Sequence, residues 1–105
     1  MNKTSLSDEC QALVAQLPRL VDVMRWGLTQ MGQANVYYGH GTDNAWDEML
    51  QLAFGALGLP LEAPQPLLTA QLLPQERALL IDLIQRRVQE RTPVPYLTHI
   101  AWFAR

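Results

Sequence analysis

Three side chains in this sequence could bind a transition metal or act as nucleophile or base: Cys10, His40 and His99. No two of them lie at ligand spacing, so the sequence predicts no metal site. Cys10 falls on an apolar stripe, which reads as a small buried hydrophobe, not a reactive thiol. Asp43, Asp47 and Glu48 cluster at the start of a helix. There, carboxylates complement the helix dipole, a simpler role than that of an acid/base pair. His40 sits between Gly39 and Gly41. That pair of glycines lacks the preceding strand and third glycine of a dinucleotide-binding turn. No catalytic, cofactor-binding or metal-ligating residue is therefore assigned.

Aromatic and basic residues offer a different chemistry, that of a protein interface. Trp26 lies about 200° round from Met24 at 100° per residue, so one core does not easily bury both. Either a local loop such as Tyr37-Tyr38 covers it, or another domain or protein does. Arg77, Arg86, Arg87 and Arg91 put half of the eight Lys and Arg residues into one helical segment. They read as a solvated face with pairs to Glu76, Asp82 and Glu90, or as a patch for an acidic or RNA-bearing partner. The candidate partner contacts are Trp26, Tyr37, Tyr38, His40, Trp46, Arg86, Arg87 and Arg91. Tyr37, Tyr38 and Trp46 could equally fill a local core.

The elements that position these residues are helical. Leu6, Cys10, Leu13, Val14, Leu17, Leu20, Val21, Met24, Leu28 and Met31 form one stripe at helical spacing. Pro18 falls inside it and would cost about 3 kcal/mol in a helix interior. Because the stripe keeps its phase, a kinked helix ending near Gly32 is expected, with two helices meeting at Leu17-Pro18 as the alternative. A second helix carries Trp46, Met49, Leu50, Ala53, Phe54 and Leu57 and stops at Gly58 and Pro60. Residues 60 to 69, with three prolines, read as a loop. Pro74 suits the first turn of a third helix, with Leu80, Leu83, Ile84 and Val88 facing inward and Asp82, Gln85, Arg86 and Gln89 outward. Thr92-Pro93-Val94-Pro95 ends it. Residues 100 to 105 read as the first strand of a hairpin. The expected fold is all-α, a small bundle of three to four helices with a C-terminal tail that begins a β-hairpin.

At 105 residues the length suits one domain, and 49% hydrophobic against 17% charged residues allows a packed core. A net charge of −2 argues against direct nucleic-acid binding. One cysteine permits no intramolecular disulfide, and neither a leader nor a membrane span is visible. A cytoplasmic protein is the expectation.

Two segments go beyond generic helix. Tyr37-Tyr38-Gly39-His40-Gly41-Thr42-Asp43-Asn44-Ala45-Trp46-Asp47-Glu48 resembles a signature of bacterial ribosomal-protein glutamine methyltransferases. Arg86-Arg87-Val88, Glu90-Arg91, Pro93-Val94 and Tyr96-Leu97-Thr98 resemble the segment those enzymes place just before their catalytic domain. Met24-Arg25-Trp26 and Ala101-Trp102-Phe103 are similar as well. The resemblance implies a helical N-terminal substrate-recognition domain over 1–92, with 93–105 leading toward a catalytic domain that this sequence lacks. In the parent enzyme, S-adenosylmethionine is the implied cofactor. The implied partners are the parent's own methyltransferase domain and a large-subunit ribosomal protein, the third by usual numbering, methylated on a glutamine amide. Neither the glycine-rich cofactor loop nor the Asn-Pro-Pro-Tyr motif of the family occurs here, so the fragment alone is expected to be inactive. A free-standing helical protein-interaction adaptor is the alternative reading.

Overall fold

Pro18 breaks the first helical stretch instead of kinking it. In the computed structural model, which describes residues 8–34, 44–62 and 65–104 and side chains through residue 101, α1 (Asp8–Gln16) and α2 (Leu20–Ala34) are separate helices. The backbone groups freed at the break find partners far away in sequence. Leu20 N–H donates to Ala70 O at 3.1 Å, and Leu72 N–H donates to Pro18 O at 2.9 Å. This short antiparallel bridge of Arg19 with Gln71 satisfies the main chain that a continuous helix would have left strained. The stripe keeps its phase because both helices face one core: Cys10, Leu17, Leu20, Met24 and Met31 are all buried. Arg19 N–H donates to the Asp22 carboxylate, tying down the start of α2. The helix runs two residues past Gly32, to Ala34.

The next element, α3 (Ala45–Leu57), begins and ends as its residues dictate. Asn44 is in an extended conformation, and its Oδ1 accepts from Asp47 N–H at 2.8 Å. At the other end Gly58 takes φ 71°, a left-handed cap that lets Leu59 N–H reach Phe54 O. The proline-rich connection holds one helical turn, α4 (Gln65–Leu68), pinned by the buried Leu68.

Pro74 opens α5 (Pro74–Gln89) as the sequence predicts. This helix touches α1, α2 and α3, as well as the last helix, and so runs through the middle of the bundle. Leu80, Ile81, Leu83 and Ile84 are its buried face. Arg91, at φ 60°, ends it in the left-handed region that favours glycine.

The C-terminal segment corrects the expected hairpin start: it forms a helix, α6 (Val94–Ala104). Pro93 O accepts from Tyr96 N–H and Leu97 N–H, both at 3.1 Å, so Pro93 stands at the helix start and Pro95 in the first turn, where no N–H is needed. Val94, Leu97 and Ala101 are buried at helical spacing against α3 and α5. That burial overrides the bias of Pro95 against a helical Val94. All described regular elements are thus helices, which fits the expected small bundle.

The α3–α6 contact is close. A Cβ built on Gly55 would lie 2.9 Å from Thr98 Cγ2. Thr98 cannot easily turn away, because its Oγ1 donates to Pro95 O at 3.0 Å. We expect Gly55→Ala to destabilise the chain by about 1–3 kcal/mol in urea titration. Adding Thr98→Ser, which removes Cγ2 and keeps the hydroxyl, should recover most of the loss. Failure of the pair to recover would place the strain elsewhere.

Candidate functional site

Two charged residues lie where the core should be apolar. Glu48, on the first turn of α3, is 1% exposed, and Arg87, near the end of α5, is 6% exposed. Arg87 Nε donates to Glu48 Oε2 at 2.5 Å. No buried side-chain nitrogen or oxygen among the described residues lacks a hydrogen-bond partner. The carboxylate therefore does more than complement a helix dipole: it locks α3 to α5 from inside.

This placement removes Arg87 from the solvated arginine face. Arg86 remains there, half-buried, paired with Asp82 at 3.2 Å one helical turn away. Arg91 is exposed but reaches back to donate to Ala34 O at 3.0 Å, closing the end of α2 against the end of α5. Arg77 donates to Val14 O at 3.1 Å and to Leu72 O at 3.0 Å, fastening α1 to the start of α5. Three of the four arginines of this segment are thus ties to other parts of the chain, and the basic-patch alternative is left with Arg86, itself paired with Asp82.

Trp26 and Trp46 are both half-buried and pack on the edge of the core. Trp26 therefore finds its cover within the chain in part, and each indole keeps some exposed surface. Tyr37, Tyr38 and His40 lie outside the described residues.

Cys10 is buried between α1 and α5. Burial pushes its thiol pKa up, and the negative charges of Asp82 and Glu9 push in the same direction. Since the thiolate is the nucleophile, alkylation of the native chain at neutral pH should be slow and should accelerate on unfolding. Iodoacetamide labelling followed by mass spectrometry checks this; rapid labelling of folded protein would contradict the buried placement. Among the described residues no cluster of three His, Cys, Asp or Glu side chains could hold a metal, and no helix is long and apolar enough to cross a membrane.

Sequence comparison adds the decisive observation. The ribosomal protein uL3 glutamine methyltransferase of Bordetella pertussis is 46% identical to this chain over 87 residues, which is 83% of the chain. The enzyme of the same name from Neisseria gonorrhoeae is 41% identical over the same length. Over that stretch this chain belongs to the ribosomal protein uL3 glutamine methyltransferase family. It spans 29% of the length of each of these two relatives. No protein-family model matches the chain. No solved structure matches it either. Identity at this level over most of the chain carries the family's fold for this stretch, so the packing of α3 on α5 and α6 is a property to expect in these relatives too.

Proposed function

We propose that this chain is the N-terminal substrate-recognition domain of an S-adenosylmethionine-dependent enzyme that methylates a glutamine amide of ribosomal protein uL3. The observation that carries this reading is the 46% identity to a relative of that name, over 83% of this chain but only 29% of the relative. An enzyme of that size has room for a separate catalytic domain. The Asn-Pro-Pro-Tyr motif that the family resemblance assigns to the substrate amide is absent from these 105 residues. The side chains on this stretch also suit binding better than bond-making. Its buried charges are paired and its arginines tie helices together, which leaves a rigid surface with indole edges at Trp26 and Trp46. Rigid elements hold an interface in place at low entropic cost.

The domain supplies binding energy remote from the reacting nitrogen. Such energy selects one protein and orients one of its glutamines. The chemistry then belongs to the rest of the enzyme, in the cytoplasm where ribosomes are assembled. Titration of the 105-residue chain with purified uL3 tests the reading. Saturable binding is expected, with no heat from S-adenosylmethionine and no methyl transfer by the chain alone. Absence of any uL3 complex, or methyl transfer by the isolated chain, would overturn it.

A further inference from the structure

An open groove of about 250 Å³ lies between the last turn of α3 and the first turns of α5, lined by Leu57, Leu73, Gln75, Glu76 and Leu79. Leu73 is the residue that does not fit its local setting. It occupies the N-cap of α5, where a serine, threonine, aspartate or asparagine would accept a main-chain N–H. A leucine side chain cannot accept one. The Leu73 carbonyl takes the Glu76 N–H at 2.9 Å, and the Glu76 carboxylate takes the Leu73 N–H at 2.9 Å, so the cap is made without the leucine side chain. That side chain is 56% exposed. Leucine here helps neither helix initiation nor solubility. With Leu57 and Leu79 it instead forms the apolar lining of an open groove, a surface of the kind that takes an apolar side chain from a partner.

The charge around the groove says what kind of contact. Glu76 is its only charged lining residue. The neighbouring Arg77 is turned away, donating to Leu72 O and Val14 O. A full carboxylate charge outweighs the roughly half positive charge of a helix start, so the rim is net negative. We infer that this groove seats an apolar side chain of the protein substrate, with a lysine or arginine next to it facing Glu76. The inference rests on the recognition role proposed above. A protein that binds RNA phosphates is rich in such cations, so a ribosomal protein offers this pairing.

The test uses the 105-residue chain, purified uL3, and two variants. Leu73→Ser restores a capping side chain, so its melting temperature should equal or exceed that of the parent. Its Kd for uL3 should rise about tenfold, the loss of one leucine-sized contact. Glu76→Gln keeps an acceptor for Leu73 N–H and removes the charge. It should weaken binding about threefold and flatten its salt dependence. If the parent chain binds uL3 and both variants bind equally well, the groove assignment is overturned while the recognition role stands. If the parent chain does not bind uL3, both are overturned. If sedimentation shows that Leu73→Ser dissolves a dimer of this chain and uL3 binding is unchanged, the groove holds a second copy, and the inference again fails.

Discussion

Glu48→Ala is expected to lower the unfolding free energy by about 3–5 kcal/mol, a large share of the total for a domain of this size. The alanine would leave the Arg87 guanidinium, 6% exposed, deep in the bundle without the carboxylate it faces. Most of the cost comes from that stranded cation, not from lost attraction, because both charges already lost their hydration on burial. The double replacement Glu48→Leu with Arg87→Met removes the cation along with its partner. It should fold with stability equal to or above the parent chain, which urea titration at constant m-value would show. If Glu48→Ala alone costs less than about 1 kcal/mol, the pair is as weak as a surface one and does not hold α3 to α5. The retained pair then has a second reading that the double variant tests. A leucine–methionine contact tolerates sliding between helices, whereas a charge pair fixes one register. Equal stability with weaker uL3 binding would assign the pair to register, and equal binding would deny it that role.

Gly27→Val is the second large effect, expected to cost about 3 kcal/mol or more. Gly27 sits in the middle of α2, where it lets that helix approach α3 and α5 together. A Cβ there would lie 2.6 Å from Met49 Cε and 3.0 Å from Ile84 Cδ1. Met49 and Ile84 are each 1% exposed, so both must give way inside the core and not toward solvent. Alanine at this position gains up to about 1 kcal/mol of helix propensity and loses more to overpacking, for a net cost of about 1 kcal/mol. Valine adds two further methyl groups and no propensity advantage over alanine. Combining Gly27→Ala with Met49→Leu removes Cε, the closest clashing atom, and should bring stability back toward the parent value. Thermal melts of the three variants beside the parent read the series directly. A Gly27→Val chain as stable as the parent would mean that the three helices do not meet at this point.

These effects concern a scaffold, and the scaffold shapes the proposed function. Arg77, Arg87 and Arg91 each bind a group on another helix or at a helix end. A face that looked basic is consequently a set of internal fasteners. A face whose cations are tied in this way offers little to an acidic partner.

Local sequence was enough to place α3 and α5. Gly58 stops α3, Pro74 opens α5, and the burial of Leu80, Leu83 and Ile84 in α5 follows from their spacing. Each of these depends on hydrogen bonds and dihedral preferences within a few residues, which neighbouring residues carry with them. The family assignment was legible for a similar reason, since it rests on a contiguous run of unusual composition. The remaining features needed the assembled chain. Whether Pro18 kinks or breaks a helix depended on Ala70 and Leu72, which supply the main-chain partners from some fifty residues away. The C-terminal segment became α6 because Val94, Leu97 and Ala101 had α3 and α5 to bury against. The Glu48–Arg87 pair left a trace that could have been read: Glu48 falls in phase with Leu52 and Ala56, and Arg87 with Leu80 and Ile84. A charge on an apolar stripe announces burial and a partner, but not which partner. Its identity follows from how two helices cross, and no local interaction encodes that crossing.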